Sequence, residues 1–195
     1  MDRVSLTTTE HALADAVAGH RAALAAVETI AGPLAKAADL IAASLASGGT
    51  LLVCGNGGSA ADAQHIAAEF VGRYLKERAP LPALALHANT SAVTAIGNDY
   101  GFDEIFARQV WAHGRESGVL LAISTSGTSP NVLRAVEAAH TLRMKTIGFA
   151  GGQGGALADA CDVCLTVPVA STPRIQEMHI LLGHVLCGLV EDALS

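Results

Sequence analysis

Residues 118–143 read GVLLAISTSGTSPNVLRAVEAAHTLR. The opening GVLLAIS, 118–124, is an apolar run with no polar alternation, as expected of a strand buried on both faces. A loop of hydroxyl groups and one glycine follows. Ser129-Pro130 then makes a good Ncap–N1 pair for a helix over 129–143. A strand that leads through a short loop into a helix is one unit of a parallel sheet. The phrase repeats at 50–76, with a strand in TLLVCG (50–55), a loop Asn56-Gly57-Gly58, and a helix over 58–76. Three more strands are expected at 81–86, 145–151 and 163–168. Short helices are expected at 90–97 and 102–115 around a GNDYG turn, with a helical turn from Leu157 to Ala160 and a long helix over 173–194. The fold class is α/β, a three-layer, doubly wound, five-stranded parallel sheet of flavodoxin-like type.

Residues 9–46 are alanine-rich with helical spacing and are broken by Gly32-Pro33. They read as two helices, about 9–30 and 33–47, closed by Gly48-Gly49. The chain is then one domain, 1–195, with residues 1–48 as a helical extension for subunit packing and 49–195 as the α/β core. Hydrophobic residues make up 51% of the 195 and charged residues 15%, and mean hydropathy is +0.40. That apolar excess in a small domain implies a homo-oligomer. A formal charge of −6 argues against nucleic acid as a partner. No membrane span or export signal is evident, which implies a cytoplasmic protein with its four cysteines reduced. Cys161 and Cys164 form a C-x-x-C, but residues three apart on a strand point to opposite faces, so they read as small core residues.

In a doubly wound sheet, ligands bind at the carboxyl ends of the strands. CGNGGS (54–59) and ISTSGTS (123–129) both stand there, each at a helix N-terminus with free N–H groups. Glycines admit an anion to the backbone, and Ser124, Thr125, Ser126, Thr128 and Ser129 add hydroxyl donors. Such a loop can hold a phosphate without basic residues, although hydroxyls before a helix serve equally as caps. Neither G-x-G-x-x-G nor the P-loop Gly-Lys-Ser/Thr is present, so a dinucleotide or a nucleoside triphosphate is unsupported.

His65 and Glu69 are four residues apart on the helix after the first loop, about 40° apart on one face. Gln176 and His184 lie two turns apart on the last helix. Two imidazoles, a carboxylate and an amide oxygen suit zinc or a similar divalent ion. By spacing alone, a hydrogen-bonded core histidine beside a solvated Glu69 and Gln176 fits as well. His179 is a rival on the last helix, five residues from His184. His20, His87, His113 and His140 suggest no role, and Tyr100 and Trp111 read as packing residues.

CGNGGSAADAQHIAAEFVGRY (54–74), GND (97–99), AISTSGTSPNV (122–132) and RIQEMHILLGH (174–184) together resemble bacterial phosphoheptose isomerases, which are stand-alone SIS (sugar isomerase) domains. The resemblance covers most of residues 50–190. It implies interconversion of D-sedoheptulose 7-phosphate and D-glycero-D-manno-heptose 7-phosphate, an entry step to heptose precursors of the cell envelope, such as those of lipopolysaccharide. It implies a homotetramer with active sites at subunit interfaces and one zinc ion per subunit. By matching position, the metal ligands fall on His65, Glu69, Gln176 and His184. Substrate contacts fall on Asn56, Gly57, Gly58, Ser59, Glu69, Arg73, Asn98, Asp99, Ser124, Thr125, Ser126, Ser129 and Gln176. Two departures stand out: ASTPRIQE lacks the acidic residue relatives often carry before RIQE, and Ala68-Glu69 replaces a pair of acids.

Aldose–ketose isomerisation moves a proton between C1 and C2 through a cis-enediol and needs a base and an acid. Glu69 is the expected base and His184 the expected acid. A carboxylate held by zinc is a weaker base, so the two would exchange ligand and proton-transfer roles. The same loops occur in non-catalytic SIS proteins, in sugar-phosphate-sensing modules and in isomerases of other sugar phosphates. Glu69 and His184 argue against the first, and the lack of a basic helix-turn-helix before residue 50 argues against the second. Pocket shape alone separates the third.

Overall fold

The computed structural model describes residues 5–195. Five parallel strands, β1 (Leu51–Gly55), β2 (Ala83–Ala85), β3 (Val119–Ser124), β4 (Lys145–Gly151) and β5 (Val163–Val167), pair in the order β2-β1-β3-β4-β5. The register sets Leu51 beside Val119, Val119 beside Lys145 and Ile147 beside Val163. The expected doubly wound sheet is therefore observed. Strand order reverses between β1 and β3, so a crevice opens at their carboxyl ends.

The period-2 alternation of side chains divides the interior. Leu51, Val53, Val119, Leu121, Ile123, Ile147 and Phe149 face α2 (Ala31–Ala46), α3 (Gly58–Val71) and α8 (Thr172–Leu194). Leu52, Cys54, Leu120, Ala122 and Ala150 face α5 (Ala107–His113), α6 (Pro130–Thr141) and α7 (Gly155–Ala160). Helix α1 (Leu6–Val27) begins at Ser5, whose Oγ accepts the Thr8 N–H, and a 3-10 turn over Glu28–Ile30 joins it to α2. By length and composition alone, the run Leu6–Ala46 could cross a membrane, with a mean hydropathy of 1.2 in its most apolar window. In the fold, Ala37, Ala38, Ile41 and Leu45 bury its second half in the first core.

Several boundaries move. The helix expected over 58–76 ends at Val71, where the Gly72 N–H caps Ala68 and a tertiary contact takes over the chain. The GND triplet is not a turn. Asn89 caps α4 (Thr90–Tyr100) by accepting the Ala92 N–H, and the helix runs through Asn98 and Asp99 to Gly101, at φ 91°. The helix expected over 102–115 splits into a 3-10 turn, Phe102–Glu104, and α5. The C-x-x-C also differs from expectation. Cys161 closes α7 before the strand begins, so both sulfurs converge on one spot beside Gly148 of β4. Burial pushes the Cys161 thiol up to about 12 and raises that of Cys164, so both are protonated.

Candidate active site

Helices α3 and α8 run side by side in the same direction. Gly58 meets Gln176, His65 meets His184 and Ile66 meets Gly183. Two glycines allow this approach. A Cβ on Gly58 would stand 2.3 Å from the Gln176 amide nitrogen, and one on Gly183 would stand 2.7 Å from Ile66. The seam places His65 Nε2 2.9 Å from His184 Nε2 and 3.2 Å from Glu69 Oε1. The ligand atoms of His65, Glu69 and His184 all lie within 4.8 Å of one another. Two imidazole lone pairs and a carboxylate converging in this way suit a divalent ion such as zinc. Gln176 lies two turns back along α8, with its amide against Gly58.

His179, the rival ligand, faces the sheet instead. It is fully buried, its Nε2 donates to the Ala150 carbonyl at 3.1 Å, and its Nδ1 has no partner. Burial lowers its pKa to about 4, so the ring is neutral. Asp62 stands one turn before His65. Its Oδ2 is buried without a partner, and burial raises the carboxyl to about 6 against the opposing pull of His65.

Beyond Val71, the carboxylate of Glu191 gathers the chain. It accepts the N–H groups of Tyr74 (3.1 Å), Leu75 (2.9 Å) and Lys76 (2.8 Å), and Arg78 Nε at 3.1 Å. This clamp lays the Tyr74 ring on His184. No sequence signal marks Glu191 or Tyr74, because the partners are more than a hundred residues apart.

The serine loop forms a hydroxyl cluster after β3. Ser124 Oγ lies 2.8 Å from Ser129 Oγ and 3.4 Å from Ser126 Oγ, and Ser126 Oγ accepts the Thr128 N–H. Thr125 and Ser126 line an open cleft of about 390 Å³ with Gly151, Gly152, Thr172 and Ile175. Gly57 caps α3, and Ser59 is buried in its first turn. Asn56 exchanges two side-chain hydrogen bonds with Asn131, a residue the sequence reading passed over. Arg73 is exposed and lies 3.7 Å from Glu77. Asn98 donates to Asp99 at 2.7 Å on the exposed end of α4. Among the described residues, neither Arg73 nor the Asn98-Asp99 pair hydrogen-bonds to either loop.

A SIS-domain family model matches residues 17–151. A phosphoheptose isomerase of Rhodospirillum rubrum is 63% identical over 161 residues, 83% of this chain and 86% of the relative. That of Burkholderia pseudomallei is 53% identical over 173 residues, 89% of this chain and 88% of the relative. This chain belongs to the phosphoheptose isomerases of the SIS-domain family. Solved phosphoheptose isomerases superimpose on it throughout. That of Neisseria gonorrhoeae has a TM-score of 0.88 at 47% identity, covering 94% of this chain and 98% of its own. That of Francisella tularensis has a TM-score of 0.87 at 40% identity, covering 97% and 100%. The phosphoheptose isomerase architecture thus extends through α1 and α8, and the chain is an aldose–ketose isomerase.

Proposed function

We propose that the protein interconverts D-sedoheptulose 7-phosphate and D-glycero-D-manno-heptose 7-phosphate through a cis-enediol. The observation that carries this reading is the convergence of His65, Glu69 and His184 on one seam of a phosphoheptose isomerase fold. The hydroxyls and N–H groups of 124–129 hold the phosphate, and this remote grip positions the sugar. Asn56, Gly57, Gly58 and Ser59 contribute from the first loop. Arg73, Asn98, Asp99 and Gln176 complete the substrate contacts. Glu69 takes the carbon-bound proton, and His184 protonates the carbonyl oxygen.

The donor set fits one zinc ion per subunit, which His65, Glu69 and His184 would hold with Gln176 as the fourth ligand, Glu69 and His184 exchanging that role with proton transfer. When bound, the ion polarises the sugar oxygens or fixes their geometry. The working form is a cytoplasmic homotetramer with active sites at subunit interfaces. Supporting this, His65 is about half exposed on an open face beside Ala61, Gln64 and Ala68, and Leu181, Val185 and Leu189 are exposed beside His184.

The test is to incubate zinc-supplemented protein with sedoheptulose 7-phosphate and follow aldose formation by NMR. Turnover in the parent that disappears in Glu69→Gln and His184→Ala supports the reading and both roles. Glu69→Gln within tenfold of the parent would overturn the base assignment. A zinc-loaded tetramer without turnover would move the substrate to another sugar phosphate.

A further inference from the structure

The two loops at the switch point diverge. After β1 the chain enters α3 on one face of the sheet, and after β3 it enters α6 on the other. One pair of side chains bridges the crevice between them. Asn56 Nδ2 donates to Asn131 Oδ1 at 2.8 Å, and Asn131 Nδ2 donates to Asn56 Oδ1 at 2.9 Å. Asn131 is 1% exposed, so its amide has little access to water and depends on this partner. Both ends are anchored. The Asn56 carbonyl accepts the N–H groups of Ser59 and Ala60, the first turn of the helix that carries His65 and Glu69. Asn131 follows Pro130 and Ser129, whose hydroxyl meets Ser124 in the serine loop.

We infer that Asn131 is a positioning residue, which acts through Asn56 to fix the serine loop relative to the helix bearing Glu69. This rests on the isomerase reading. The phosphate and the reacting carbons lie at opposite ends of the sugar, so the gripping loop and the proton-transfer helix must keep a set separation. Small errors in such placement cost rate, while the grip on phosphate itself is untouched.

The experiment compares zinc-supplemented parent, Asn131→Ala, Asn56→Ala and the double variant. The readouts are kcat and KM with sedoheptulose 7-phosphate, the competitive Ki of inorganic phosphate, and melting temperature. Asn131→Asp serves where truncation fails to fold, because it keeps the volume but sets an oxygen against Asn56 Oδ1. The expected result is a kcat about 10- to 100-fold lower in Asn131→Ala, a phosphate Ki within twofold of the parent, and a double variant no slower than the slower single. A folded Asn131 variant with kcat within twofold of the parent would overturn the inference. So would parallel losses of kcat and phosphate binding, or single effects that multiply in the double variant. A parent that does not turn over would sink the isomerase reading instead. The inference would then stand or fall on binding: sedoheptulose 7-phosphate must bind the parent more tightly than inorganic phosphate, and Asn131→Ala must erase that difference.

Discussion

The ring of Tyr74 lies against that of His184, with centroids 5.6 Å apart and planes 14° from parallel. His65 meets the same His184 ring edge-on, 5.0 Å away at 80°. The imidazole is thus held from two directions with its Nε2 toward His65. An aromatic contact of this kind contributes about 1 kcal/mol beyond burial. Tyr74→Phe should leave kcat near the parent value, because the contact uses the ring face. Tyr74→Ala should lower kcat about fivefold with the fold retained, as checked by steady-state kinetics beside circular dichroism. Equal loss in both variants would mean that the hydroxyl, not the ring, matters.

Glu191 holds Tyr74 in place and should govern acid stability. Burial opposes its ionisation, but three backbone N–H groups and Arg78 outweigh burial and keep the carboxyl below its ordinary value of 4.5. A carboxyl that is more acidic when folded stabilises fully above that ordinary value, and the contribution is lost as pH falls through the folded value. Melting temperature should therefore drop more steeply below about pH 4.5 in the parent than in Glu191→Gln. Glu191→Ala leaves the buried Arg78 guanidinium with backbone carbonyls but no carboxylate and should cost about 3–5 kcal/mol in denaturant unfolding. A loss under 1 kcal/mol would show that water replaces the clamp.

The same contact explains what the sequence could not show. The strands at 118–124 and 145–151 were legible because burial on both faces leaves a plain apolar run. His65 and Glu69 could be placed on one face because helical period brings i and i+4 together, whereas His184 joined them, ahead of its rival His179, only through the family resemblance, and it is the pairing of α3 with α8 that brings the three side chains together. The end of α3 was not, since a carboxylate on α8 sets it from the far end of the chain. The Asn131 amide looked like an ordinary first-turn residue of α6, and only the fold supplied its partner. The extension of α4 through Asn98 and Asp99 was missed because Gly97 reads as a stop, while Gly101 is the residue with positive φ.

His179 predicts a second pH response. Burial favours its neutral form when folded, lowering its pKa from 6.5 to about 4. Between those values the unfolded chain binds more protons, so stability rises with pH across the window and is flat above it. The total is of order 3 kcal/mol. Urea unfolding of the parent should show this slope between pH 4 and 6.5, and His179→Gln should flatten it. A slope unchanged in the variant would assign the response to another group.

The ligand trio should couple metal to stability as well as to turnover. Zinc at a hundredfold excess over its Kd adds about 2.7 kcal/mol to a fold that binds it. Chelator-treated protein should regain that increment, and its activity, on adding zinc. His65→Ala should regain neither, because it leaves two of the three convergent donors. A full increment in His65→Ala, read by differential scanning calorimetry, would place the ion elsewhere.

Assembly and catalysis should fail together. Leu181, Val185 and Leu189 recur every fourth residue on α8, each 37–41% exposed, and His184 flanks that stripe. Apolar side chains spaced in this way on a helix surface form a contiguous face, and covering them with a second subunit would also enclose the open side of the trio. Val185→Glu places a charge on that face without touching the ligand atoms. Sedimentation velocity should show the parent as a tetramer and the variant as smaller species. The variant's kcat should fall at least about tenfold, as expected when a site loses groups or water exclusion supplied across an interface. Smaller species with full turnover would show that one subunit is catalytically complete. An intact tetramer with reduced turnover would move the interface off α8 and leave Val185 acting on its neighbour His184 alone.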